Sequence, residues 1–155
     1  MLPAVLLVLS LGASAAPAPV LKPLPGSAVD LRAADGWVLK AVWQKAAEGR
    51  PTLLLLHGTG QRKEDWRLFA RVLAKAGYGY MAVDLRGHGE SRTSPSGEAL
   101  SYKKLRATKL VNDYADMTRD AEAAIAYLAA QGVPEESVGV AGVVVLRRHL
   151  RNDGG

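Results

Sequence analysis

Two glycine-flanked turns hold the residues with the most chemical promise, His57-Gly58-Thr59-Gly60 and, about thirty positions later, Asp84-Leu85-Arg86-Gly87-His88-Gly89-Glu90-Ser91. Backbone N–H groups fixed by such a turn can hold a negative oxygen without reorganising, which is what the oxyanion of ester or amide hydrolysis requires. Glycine at 58 and 60 lets the backbone approach a ligand closely. A tight turn without a ligand is the plainer reading of His-Gly taken alone. Phosphate is the competing anion, but Gly58-Thr59-Gly60-Gln61-Arg62-Lys63 lacks the third glycine of a dinucleotide fingerprint. It also lacks the Gly-Lys-Ser/Thr ending of a P-loop, so no nucleotide cofactor is expected. Asp113, Asp116 and Asp120 fall at i, i+3 and i+7 and could gather a cation. A solvated face opposite an apolar stripe is the expectation for them, and no metal site is expected. Cysteine is absent, which excludes disulfides, a thiol nucleophile, cysteine-ligated zinc and a lipidated N-terminal cysteine.

The turns need elements to hold them. Four consecutive leucines, Leu53 to Leu56, run into the first turn and read as a strand over 52–57 buried on both faces. Tyr80 to Asp84 is the next strand. Between them Asp65 can cap a helix over about 66–76, with Leu68, Phe69, Val72, Leu73 and Ala76 on one face and Gly77 just past its end. Strand, helix, strand at this spacing predicts a right-handed parallel crossover and the α/β class. Upstream, Ala28 to Trp43 alternates around Ala34-Asp35-Gly36, a hairpin signal. Downstream, polar Arg92 to Thr108 with Pro95 and Gly97 reads as a loop. Leu110, Tyr114, Met117, Ala121, Ile125 and Leu128 then mark a helix over about 110–131, and Val138 to Val145 follows as a third parallel strand.

The two strand-turn units together resemble the N-terminal half of the α/β-hydrolase family, over roughly Val29 to Gly142. The second turn is similar to the family's Asp-x-Arg-Gly-x-Gly-x-Ser pattern at Asp84, Arg86, Gly87, Gly89 and Ser91, with His88 between the glycines. Its work there is mainly architectural, with Asp84 and Arg86 expected to satisfy exposed backbone and each other. The resemblance implies a partial α/β-hydrolase sheet and a serine hydrolase of the aminopeptidase or esterase type, acting through an acyl-enzyme on a small-molecule ester or peptide-like substrate. It further implies that Thr59 supplies an oxyanion-binding N–H, with Gly60 the near alternative, that His57 is structural, and that Arg62, Lys63 and Trp66 border the site.

The nucleophile is where the resemblance stops. A serine hydrolase exposes its serine on a strained Gly-x-Ser-x-Gly turn. Val138 to Gly142 supplies the strand and the first glycine, but Val144 stands in the serine's place and Leu146 in the second glycine's. The nearest other match, Gly89-Glu90-Ser91-Arg92-Thr93, belongs to the previous turn, and His149 lies in an arginine-rich tail unsuited to a catalytic base. The chain is therefore expected to hold half an oxyanion hole, no triad and no turnover. The break at Val143 reads as a shifted or truncated frame, and 138–145 becomes an aggregation-prone edge. Two other classes stay open: a non-catalytic binding protein on the same half-fold, and a nucleotide-binding α/β domain.

The remaining expectations concern organisation. A chain of 155 residues with 48% hydrophobic and 23% charged residues suits one globular domain and is no disordered chain. Its net charge of +5 is scattered, and the knots at Lys103-Lys104-Leu105-Arg106 and Arg147 to Arg151 come without an aromatic ladder, so no nucleic-acid partner is expected. Met1 to Ala16 pairs a short apolar run with small residues and reads as a secretory leader over 1–15, cleaved after Ala15, although it has no Lys or Arg at its start. The run is too short to span a bilayer. Export to the periplasm or outside follows, then a proline-spaced linker over 16–26, a domain over 27–142 and an aberrant tail over 143–155. Oligomeric state is not legible.

Overall fold

A computed structural model of the chain describes residues 22–107 and 113–142. Five strands form one mixed sheet: β1 (Ser27–Arg32), β2 (Val38–Gln44), β3 (Thr52–Leu56), β4 (Gly79–Val83) and β5 (Val138–Gly142). Their spatial order is β1-β2-β4-β3-β5. β1 and β2 are the expected antiparallel hairpin, closed by a bond from the Gly36 N–H to the Ala33 carbonyl at 2.9 Å. β2 pairs antiparallel with β4, and β3 pairs parallel with both β4 and β5.

Helices cover the two faces. α1 (Arg67–Lys75) follows a short 3-10 turn at Lys63–Trp66 and links β3 to β4; α2 (Tyr102–Ala107) and α3 (Asp113–Ala130) precede β5. The leucine run explains the layering, because alternate side chains of a strand point to opposite faces. Leu54 joins Leu39, Met81, Val83, Ala124 and Leu128 on the α3 side, whereas Leu55 joins Ala70, Leu73, Tyr80 and Ala82 on the α1 side. Both leucines are fully buried.

Several expectations need correction. The stripe assigned to α1 mostly faces out: Leu68 is 77% and Val72 63% exposed, and the helix packs instead through Ala70 and Leu73. Small Ala70 lets the helix lie close to the sheet, and that contact outweighs the larger side chains beside it. The polar stretch assigned to a loop contains α2, whose Leu105 is buried in the α3-side core. The end of the proline-spaced linker is packed rather than free, with Leu24 7% exposed against α1 and the Pro25 carbonyl accepting from the Tyr80 hydroxyl. The first turn of the long helix, at 110–112, and the strand's last residues, 143–145, lie outside the described residues. So do the leader, the arginine-rich tail and Val144.

The chain leaves β3 toward β4 on one side and reaches β5 on the other. β3 is thus the point where strand order reverses, and open α/β sheets hold ligands at the carboxyl ends of strands at such a point. Leu56 and Gly142 stand opposite each other in register at the ends of β3 and β5. The His57 turn therefore leaves β3 beside Gly142, the residue that ends β5.

Candidate active site

The first turn is built by its glycines. Gly58 to Gln61 closes with a bond from the Gln61 N–H to the Gly58 carbonyl at 3.1 Å, and Gly60 takes φ +78, the left-handed value a type II turn needs at that place. The Gln61 side chain accepts the Gly58 N–H at 2.8 Å. Among the described residues, the N–H groups of Thr59 and Gly60 have no partner, and both residues are exposed. Gly60 borders a cleft of about 810 Å³, lined also by Gln61, His88 and Tyr102 among others, and Thr59 precedes it on the exposed turn.

His57 is buried and fully engaged. Its Nδ1–H donates to the Gly58 carbonyl at 2.9 Å, and its Nε2 accepts the Leu85 N–H at 3.1 Å, which ties the two turns together. Burial holds its pKa below the ordinary 6.5. His88 is likewise buried and depressed by burial; its Nδ1–H donates to the Arg86 carbonyl at 3.0 Å, and its ring stacks on Tyr102 with centroids 4.5 Å apart. The neutral ring's Nε2 has no partner among the described residues.

Asp84 staples the turns from below. Its carboxylate accepts the Lys63 N–H at 2.7 Å, the Glu90 N–H at 2.9 Å and the Lys63 ammonium at 2.7 Å. Burial alone would raise Asp84, but the Lys63 ammonium and these two backbone donors hold its carboxyl below the usual value. Burial would likewise depress Lys63, yet its bonds to Asp84 and Glu90 outweigh that and hold the ammonium above its ordinary range. Gly89 passes so close that a Cβ there would fall on the Asp84 carboxylate.

Arg86 faces the other way. It reaches Asp120 through its N–H at 2.8 Å, Nε at 2.9 Å and Nη2 at 2.6 Å, and Asp35 of the β1–β2 turn through Nη1 at 2.6 Å. Asp84 and Arg86 therefore do not satisfy each other, contrary to expectation; each has a separate buried partner. Asp120 is fully buried and is no part of a solvated face, because α3 turns it into the sheet to receive Arg86. Asp116 pairs with Arg119 at 3.6 Å, and no cluster able to hold a metal occurs among the described residues.

Of the three residues expected to border the site, Arg62 lines the cleft, Lys63 turns inward at 4% exposure, and Trp66 packs into the α1-side core beside Phe69. Ser91 is buried and its Oγ accepts the Lys40 N–H at 2.8 Å, which makes it a tie to β2. Gly87 brings the chain against α2, where a Cβ would stand 2.6 Å from the Tyr102 nitrogen. Gly142 ends β5 beside Leu56. Sequence reasoning missed Lys63, Asp35, Asp120 and Tyr102 as partners, since each meets its motif residue only through tertiary contact. The one usable signal was Ser101, whose side chain and carbonyl open α2.

Comparison with known proteins agrees with this geometry. The model described as "Alpha/beta hydrolase family" matches residues 53–146, well over half of the chain. Mouse protein phosphatase methylesterase 1 is 41% identical over 56 residues, 36% of this chain and 14% of that protein. A 2-hydroxy-6-oxononadienedioate/2-hydroxy-6-oxononatrienedioate hydrolase of Escherichia coli is 31% identical over 87 residues, 54% of this chain and 30% of that one. The chain thus spans well under half the length of these relatives. Among solved structures, an esterase of Pyrococcus furiosus superposes with a TM-score of 0.54 at 25% identity, over 75% of this chain and 41% of the esterase. Epoxide hydrolase A of Mycobacterium thermoresistibile gives 0.52 at 26%, over 75% and 30%. The described sheet, its antiparallel hairpin followed by parallel strands, and the matched segment place the chain in the alpha/beta hydrolase family.

Proposed function

We propose that the chain forms the oxyanion-binding side of a hydrolase for an ester or peptide-like acyl bond, and that it does not itself carry the nucleophile. The observation that supports this most is the pairing of β3 with β5, whose ends at Leu56 and Gly142 lie in register. A turn with two unpartnered amides opens there, beside the glycine from which a nucleophile elbow would start. Backbone donors fixed this way are suited to a developing oxyanion, since they need no reorganisation. Val144 stands in the serine's position, and a valine side chain cannot attack a carbonyl. Ser91, the serine of the other partial elbow, is spent on β2.

Titration of the nitrogen-15-labelled chain with butyrate, a product-like carboxylate, tests the binding half of this reading. The Thr59 and Gly60 amide resonances should shift saturably; amides that stay fixed would sink it. A purely binding role on the same half-fold is the second reading, favoured by a turn and cleft that are complete without any nucleophile. Reading the coding DNA past the Gly142 codon in the other frames separates the two, because only the hydrolase reading expects a Ser-x-Gly there. Export belongs to the first reading, through a leader cut after Ala15. A mature secreted form with Ala16 at its amino terminus is expected, and an intact Met1 on the exported protein would count against it.

A further inference from the structure

Tyr102 lies on α2, in a stretch whose sequence suggested only loop; two contacts fix it on the second turn and a third observation sets its hydroxyl beside the first. Its backbone N–H is bonded to the Gly87 carbonyl at 2.8 Å, which fixes the start of α2 against the second turn. Its ring lies flat on His88, 10° from parallel, so the phenol has little freedom to swing. Its hydroxyl stands 3.3 Å from where a Cβ on Gly60 would be, and it has no hydrogen-bond partner among the described residues. A phenol O–H held by stacking and unspent thus stands close to Gly60, whose backbone amide is unspent as well.

Two cations of the cleft are free to meet a negative oxygen. Arg92 and Lys103 line the same cleft and form no ion pair among the described residues. Three acids line it too: Glu64 and Glu90 contact the Lys63 ammonium, and Asp65 accepts the Arg62 N–H at 3.0 Å.

We propose that the Tyr102 hydroxyl is a third donor to the acyl oxygen bound at the Thr59–Gly60 turn, and so a specificity-determining residue for carboxylate and acyl ligands. This rests on the oxyanion reading above and adds to it a side-chain contact that the turn alone does not supply. The absence of a side chain at 60 gains a second meaning: any Cβ there would push the hydroxyl away as well as strain the turn.

The test is the butyrate titration repeated on Tyr102→Phe, which keeps the ring and its stacking on His88 and removes only the hydroxyl. Loss of one hydrogen bond to a charged ligand should weaken binding about tenfold, with melting temperature unchanged. Tyr78→Phe, away from the cleft, should bind as the wild type does. Equal affinity in Tyr102→Phe would overturn the Tyr102 proposal while leaving the oxyanion reading standing. Wild-type Thr59 and Gly60 amides that do not respond would overturn both. Should Tyr102→Phe fail to fold, the wild type decides: the carbon-13 resonance of the Tyr102 Cζ must move with butyrate, and a fixed Cζ refutes the contact.

Discussion

Gly89 leaves no room for a side chain, because the Asp84 carboxylate occupies the space and the backbone is left-handed at φ +47. Gly89→Ala should therefore cost about 3 kcal/mol or more in urea unfolding. Gly97, also left-handed at φ +82 but with open space around it, should lose only about 1 kcal/mol on the same change. Lys63→Met leaves Asp84 buried without its cation and should destabilise by about 3–5 kcal/mol; an unaltered midpoint would show that Asp84 does not depend on the ammonium. At this scale the glycines were legible, since a turn's need for positive φ is local. The partners of Asp84 and Arg86 were not. They come from 21 and 34 positions away, and spacing along the chain carries no trace of such contacts.

α1 shows how periodicity can find an element and misplace its face. Leu68, Phe69, Val72 and Leu73 have helical spacing, yet only Leu73 of these is buried, because Ala70 sets the closest approach to the sheet. Leu68→Lys should change stability by less than about 0.5 kcal/mol, whereas Leu73→Ala should cost about 2–4 kcal/mol. Reversed magnitudes would mean that the helix is rotated from its described orientation. β3 and β4 were read almost to the residue, as four leucines and a Tyr80–Asp84 run leave few alternatives. α2 escaped because six residues are too few to display a period. β5 pairs only with β3 among the described residues and exposes Val140 at 63%. An open apolar edge invites a further strand, so Val140→Lys should lower concentration-dependent light scattering. Equal scattering would place self-association elsewhere.

For the molecule as a whole, the buried ionisable groups define a pH window. His57 and His88 both lie below 6.5 in the folded state, so the unfolded chain binds protons more readily as pH falls below that value, and stability should decline there. Asp84 and Asp35 are held below 3.8 and add a second loss as pH drops through their lowered values. On the alkaline side burial pushes Tyr80 up to about 12 and the ion pairs raise Lys63, so stability should fall again above about pH 10 as the unfolded chain loses those protons first. A melting-temperature plateau between these limits is the expected profile; a maximum at acid pH would contradict the buried neutral histidines.

The strands and the first turn come from local sequence signals, whereas the strand order with its switch point, the buried ion pairs and the contacts of Tyr102 exist only once the chain has folded. The proposed lack of a nucleophile rests on Val144, which stands where the family's serine would be. The most direct measurement is stopped-flow hydrolysis of p-nitrophenyl butyrate by the folded chain, with intact-mass detection of any acyl adduct. Neither a nitrophenol burst nor an adduct is expected. A stoichiometric burst with a butyryl group on Ser91 or any other residue would contradict the account and show that the chain carries its own nucleophile.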